Sequence, residues 1–169
     1  MHDGHDGPYP APITTPARQV PAEWIDHNGH MNVGYYSIAL DQAVDHMFED
    51  HLGLGLDYVA RARQGSYVVQ MHMHYIGEIL QGESITGRFT LLDHDAKRMH
   101  IMGELVVDGT VRAMAEQLVM AVDLTTRRST SYPDWAQARL AQMKSDHADH
   151  PRPPQLGAPL GIRRKPDES

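Results

Sequence analysis

Between Trp24 and Tyr36 the chain reads WIDHNGHMNVGYY. A carboxylate (Asp26), an amide (Asn28), a glycine (Gly29) and an imidazole (His30) stand almost side by side, with a second amide (Asn32) close behind. Apolar and aromatic residues then recur at three- and four-residue steps: Tyr36, Ile38, Leu40, Ala43, Val44, Met47, Phe48 and Leu52. That spacing predicts a helix over 33–51 with one apolar stripe. The first amides of a helix lack intrahelical partners, and its dipole favours negative charge at that end. A carboxylate beside such amides can act as general base or nucleophile, with the amides around Gly29 to Val33 donating to a developing oxyanion. Gly29 permits close backbone approach. Asp and Asn are also ordinary turn formers and N-caps, so capping and catalysis both fit this stretch taken alone.

The elements that position these residues follow from the pattern. ARQVPAEWI (17–25) reads as a short strand interrupted by a proline, which suits an edge. Gly53 stops the long helix, and GLGLDYVARARQG is a connection with room for one helical turn. The period then changes. SYVVQMHMHYI (66–76), ESITGRFTLLDHD (83–95), KRMHIMGELVVD (97–108) and TVRAMAEQLVMAVDL (110–124) read as long strands. Asp108-Gly109 is the clearest hairpin turn between them. Residues 134–147 read as a terminal helix behind Pro133. The expected fold is α+β: an antiparallel sheet wrapped around one long central helix, with a C-terminal helix. A single helix covers one sheet face and leaves an edge strand exposed, so edge-to-edge homodimerisation is expected. The domain limits are a flexible arm over 1–16, one domain over 17–150 and a Pro-rich tail over 151–169.

Composition narrows the function. The chain has 169 residues, no Cys and a formal charge of −7. Cys nucleophiles, disulfides and thiolate metal sites are therefore excluded. A nucleic-acid partner is not expected, because phosphate backbones need a basic footprint. No apolar run reaches the roughly 18 residues of a membrane span, and MHDGHDGPYPAPITTP lacks the features of a signal peptide. A cytoplasmic location is the resulting expectation.

Other candidates carry less. Asp41 and Asp45 lie one helical turn apart, as a reserve carboxylate or as a solvated face. His72 and His74 alternate on one strand face, half of a metal site with no third ligand nearby in sequence, so no metal is expected. Arg61, Arg63, Lys97 and Arg98 are candidate phosphate contacts, Arg98 foremost, or ordinary surface cations. Trp24, Tyr35, Tyr36, Tyr67 and Tyr75 are core aromatics or pocket walls, whose faces could hold a quaternary ammonium group.

Asp26, the run Asn28-Gly29-His30-Met31-Asn32 and the pair Tyr35-Tyr36 resemble the hotdog-fold acyl-CoA thioesterases of the 4-hydroxybenzoyl-CoA thioesterase-like branch. MHYIGEILQGESI (73–85) and the two closing strands are similar as well, and the likeness covers roughly residues 17–146. Within the branch the chain looks most like the thioesterases associated with carnitine dehydrogenase and betainyl-CoA. The resemblance implies a homodimer or dimer of dimers that hydrolyses a small acyl-CoA without a cofactor. It implies Asp26 as the catalytic carboxylate, with Asn28, Gly29 and His30 in the segment turning into the helix. Trp24, Asn32, Tyr35, Tyr36, Tyr67 and Arg98 are assigned to substrate binding. Two rivals remain open on this fold: an enoyl-CoA hydratase or dehydratase pairing His30 with Asp41, and a non-catalytic acyl-CoA-binding module.

Overall fold

The long helix begins where the spacing places it. In the computed structural model, which describes residues 4–164, helix α1 runs Val33–His46 and continues through a wider turn, Met47–Leu52. Asn32 is its N-cap, with Oδ1 accepting from the Gly34 N–H at 3.0 Å. Gly53 ends it at φ 72°, the left-handed conformation glycine adopts without strain. Tyr36, Leu40, Val44, Met47 and Leu52 are buried along one side, each contributing roughly 1.5–3 kcal/mol. Ile38, expected in that stripe, instead faces outward with the exposed Asp41 and Asp45. Ile38, Asp41 and Asp45 follow a three- and four-residue step of their own, and that row lies away from the sheet.

Two short strands precede the helix, β1 (Ile13–Thr14) and β2 (Arg18–Gln19), followed by a tight turn at Ala22–Trp24. After α1 come the two-turn helix α2 (Leu56–Ala62) and the strands β3 (Gln64–Tyr75), β4 (Ser84–His94), β5 (Arg98–Val107) and β6 (Thr110–Asp123). The short β7 (Arg128–Ser129) and helix α3 (Asp134–Asp146) complete the order. The main strands lie β1-β4-β5-β6-β3, all antiparallel, with β2 also on β4 and β7 also on β6. Asp108 and Gly109 both take positive φ, 47° and 76°, the turn that matches the twist of the β5–β6 hairpin.

The sheet curls around α1, the hotdog arrangement. The seat is cut by glycines: a Cβ at Gly87 would lie 2.9 Å from the Ala43 Cβ, and one at Gly103 would lie 3.2 Å from Leu40 Cδ2. Phe89, fully buried, packs its ring against both glycines. Strand β3 is the outermost long strand, and its second edge pairs with nothing among the described residues. It carries exposed Tyr67, Val68 and Val69, the last at a bulge.

Both chain ends depart from the expected arm and tail. From residue 4 onward the N-terminal segment is packed: Tyr9 and Ile13 are buried, and Ile13 pairs with Phe89. Asp6 bonds Arg139 Nε at 2.8 Å, and the Tyr9 N–H donates to Asp146 at 2.8 Å. Two apolar anchors and a few polar partners are enough to hold a stretch whose composition alone suggested mobility. Beyond residue 150 the chain lies on the sheet face opposite α1. The Gly157 N–H donates to Glu116 Oε2 at 2.8 Å, and Ala158 is buried. Met102 and Met114, on that outer face, are buried outside the main core cluster. The extremities of the expected arm and tail, residues 1–3 and 165–169, lie outside the described residues.

Candidate active site

The turn before α1 is built on the carboxylate it displays. Asp26 and His30 close it by an N–H to carbonyl bond of 3.1 Å, and the Gly29 N–H donates to the Asp26 carbonyl at 3.0 Å. Gly29 sits at φ 83°, where a side chain would be strained. The Asn32 N–H donates to Trp24 O at 2.9 Å, and the Met31 N–H to Ile79 O at 2.7 Å. The second bond ties the turn to the loop between β3 and β4, whose Gly77 carbonyl accepts from the Tyr36 hydroxyl at 3.3 Å. That loop was expected only as a connection; its carbonyls buttress the helix mouth, and a connection's carbonyls leave no mark in residue types.

Both carboxylate oxygens of Asp26 are engaged. Oδ1 accepts from the Asn28 N–H at 2.8 Å, and Oδ2 from Asn32 Nδ2 at 3.3 Å. The Asn28 amide, the largest influence, holds its pKa below the usual carboxylate range; desolvation opposes it, and the Asn32 side chain and the nearby imidazoles of His30 and His27 add smaller lowering effects. Asp26 is therefore ionised at neutral pH and partly open to solvent. The expected amide donors divide. Those of Asn28, Gly29, Met31, Asn32 and Gly34 are spent within the protein, whereas His27, His30 and Val33 have N–H groups with no partner among the described residues. Val33 is the first residue of the helix, so its N–H stands at the positive end of the dipole. Gly29 shapes the turn and does not offer its own amide. His30 Nδ1 is 3.0 Å from the Met31 carbonyl, which accepts its proton and leaves Nε2 as the other ring position.

The assigned aromatic and cationic residues fall into two groups. Trp24, Tyr35, Tyr36 and Tyr75 gather at the helix mouth. Trp24 is buried, stacked on Tyr35 with centroids 5.3 Å apart, and the Arg18 guanidinium lies 4.6 Å from its centroid. Tyr36 is buried edge-on against Tyr75 at 5.1 Å, and Tyr75 is 52% exposed. Tyr67 and Arg98 do not join them in this chain. Both pair with Met120, in one row across the sheet. Tyr67 stands eight residues from Tyr75 along β3, about 26 Å at strand spacing. Arg98 is gripped by Asp95 through Nε at 2.8 Å and Nη2 at 2.5 Å, so its guanidinium already has an anion.

A cavity of about 730 Å³ lies on the outer sheet face beneath the C-terminal segment, lined by His72, His94, His100, Glu116, Arg98 and Leu160 among others. A smaller one of about 150 Å³ sits between α1 and β4. Asp26 borders neither; it opens onto the surface beside Val33, which is 59% exposed. His72 and His74 do lie together, their rings tilted with centroids 4.4 Å apart, but among the described residues no three His, Asp or Glu side chains converge as a metal requires. No helix among them is long and apolar enough to cross a membrane.

Comparison with known proteins adds to this geometry. The sequence profile of the thioesterase-like superfamily matches residues 20–140. A betainyl-CoA thioesterase of Pseudomonas aeruginosa is 29% identical over 152 residues, covering 89% of this chain and 95% of that protein. An L-carnitine dehydrogenase/betainyl-CoA thioesterase of Rhizobium meliloti is also 29% identical, over 90% of this chain but only 31% of its own length. Among solved structures, a Staphylococcus aureus protein in complex with CoA superposes with a TM-score of 0.82 at 27% identity, covering 90% of this chain and 96% of that one.

Proposed function

The chain belongs to the thioesterase-like superfamily, and on that premise we propose that Asp26 is the group with which it hydrolyses a small acyl-CoA thioester. The protein is a thioester hydrolase acting on acyl-CoA. The observation that carries the role of Asp26 is its ionised carboxylate, anchored through both oxygens and bonded to Asn32, the N-cap next to Val33, whose N–H has no partner among the described residues. Each oxygen accepts one bond within the protein and keeps a lone pair with which to accept from a water molecule. Asp26 takes a proton from that water as its oxygen attacks the thioester carbonyl carbon. The carbonyl oxygen gains the electron pair and is met by the Val33 N–H, a donor worth about 3 kcal/mol where it is fully aligned. Collapse of the tetrahedral species breaks the C–S bond. The thiolate leaves with little need of a general acid, because a Cys-like thiol has a pKa near 8.5, and it receives the proton held by Asp26. No step calls for a cofactor.

The betainyl group is the proposed acyl portion, supported by the Pseudomonas aeruginosa relative and by an aromatic face at the helix mouth. Trp24 already carries Arg18 and Tyr35 against its ring, so the surface open to a trimethylammonium group is that of Tyr75. The site is proposed to be completed by a second copy. An antiparallel pairing of the open edges of β3 would bring the partner's Tyr67 towards the Tyr75 end of the strand and would cover Val68 and Val69. A hydratase would need His30 and Asp41 to work as a pair, but Asp41 lies on the exposed helix face and no contact between the two is present among the described residues.

The test is a thiol-release assay over betainyl, short-chain, long-chain and aryl CoA esters, with wild type and Asp26→Asn. A kcat/KM for betainyl-CoA at least tenfold above that for an equally sized neutral ester supports the acyl assignment. Equal rates on the two remove it. Hydration of an enoyl-CoA without thiol release, or tight ester binding without turnover, would replace the hydrolytic reading altogether.

A further inference from the structure

Asn32 is joined to the proposed chemistry by more than its position. Its side-chain amide has two ends, and both are committed. Oδ1 accepts from the Gly34 N–H at 3.0 Å, which caps α1, and Nδ2 donates to Asp26 Oδ2 at 3.3 Å. Only this orientation of the amide satisfies both neighbours, since the peptide N–H needs an acceptor and the carboxylate needs a donor. The backbone of the same residue is held as well: its N–H donates to Trp24 O at 2.9 Å, and its carbonyl accepts from the Tyr35 N–H at 2.9 Å. By capping at Gly34, the second helical residue, the side chain leaves the N–H of Val33, the first, without a partner among the described residues.

We infer that Asn32 is a positioning residue, a clamp that fixes the Asp26 carboxylate against the helix mouth and keeps the adjacent Val33 amide available to the substrate. This rests on the catalytic reading of Asp26 and stands in place of the assignment of Asn32 to substrate binding, because each end of the amide already serves the protein, one holding Asp26 and the other capping α1. Loss of the clamp frees the carboxylate to rotate away from the attacking geometry and removes a donor that favours its ionised form.

Two variants separate the clamp from the cap. Asn32→Asp keeps a good N-cap acceptor but loses the donor and sets a second carboxylate against the first. Asn32→Gly removes both ends of the amide without adding charge, and glycine is itself a tolerated N-cap. The clamp requires both to lower kcat, by about tenfold, on the scale seen when a supporting residue around a reactive group is lost. KM should stay within about twofold, since substrate binding is not the property removed. Both should also raise the acid limb of the kcat/KM profile, by about one pH unit in Asn32→Asp, and the ¹³C-carboxyl titration of Asp26 should move the same way. A shift in Asn32→Gly cannot come from added charge. An unmoved limb and unmoved carboxyl titration in both variants would overturn the clamp. So would a raised KM with kcat unchanged, which marks a substrate contact. Full activity in Asp26→Asn would defeat the catalytic reading instead, and the carboxyl titration would still decide whether Asn32 holds Asp26.

Discussion

Asp26 is held ionised by its own turn, first by the Asn28 N–H and then by Asn32, and this fixes the pH behaviour expected of the enzyme. The proposed mechanism needs the unprotonated carboxylate, and the Asn28 amide above all holds its pKa below the usual range. The acid limb of kcat/KM should therefore fall below the ordinary Asp value of about 3.9, with activity flat from there towards neutrality. A limb near pH 6 would mark a base other than Asp26. The local geometry of the proposed site was readable in the sequence, because a carboxylate, turn formers and a helix start sit next to one another in the chain. How the amides are shared out was not readable there. Gly29 looked like an oxyanion donor by type, yet its N–H closes the turn on Asp26 O, and the unpartnered donor at the helix start belongs to Val33, whose side chain says nothing about its amide. Arg98 looked available by type as well, and its engagement follows from Asp95 lying across the β4–β5 turn.

At the scale of elements, α1 is positioned by what the sheet lacks beneath it. A Cβ at Gly103 would come within 2.8 Å of the Phe89 ring and 3.2 Å of Leu40 Cδ2. Gly103→Val should cost about 1–3 kcal/mol by overpacking, seen as a lower denaturant midpoint at unchanged m-value. An unaltered midpoint would mean that α1 does not rest there. The four long strands were legible from their length and turn residues, and Asp108-Gly109 marked its hairpin. Ile38 was misplaced because helical steps alone admit two overlapping rows on one helix, and only the sheet decides which is buried. His147, just after α3, is a fully buried pin, accepting from the Leu91 N–H at 2.9 Å and donating to Pro10 O at 2.8 Å. Burial lowers its pKa below the unfolded value of about 6.5. The folded state thus favours the neutral ring. The stability this gives is present above pH 6.5 and is lost as pH falls through the lower folded pKa. Thermal stability should decline on acidification below about pH 6.5, and His147→Ala should be less stable at neutral pH with a flatter dependence. An identical slope in the variant would clear His147 of the effect.

The whole molecule differs from its sequence-based outline mainly at its ends, where composition argued for mobility and long-range partners supply order. Tyr9, Ile13 and Asp6 on one side, and Gly157 with Glu116 on the other, are pairings far apart in the chain that no local pattern announces. The packed C-terminal segment covers part of the outer sheet face, while the β3 edge stays open with Val68 at 45% and Val69 at 48% exposure. Edge pairing there predicts a dimer in sedimentation experiments, and Val68→Lys should shift it towards monomer with loss of thiol release. A monomeric wild type of full activity would dispose of the shared site. Within that assembly a single carboxylate, that of Asp26, is proposed to drive thioester cleavage. Steady-state kcat for Asp26→Asn, measured on the best acyl-CoA of the panel with the variant's fold confirmed by its melting temperature, tests it most directly. A fall of about 10²–10⁴-fold is expected; a folded Asp26→Asn enzyme turning over at the wild-type rate would rule Asp26 out as the base.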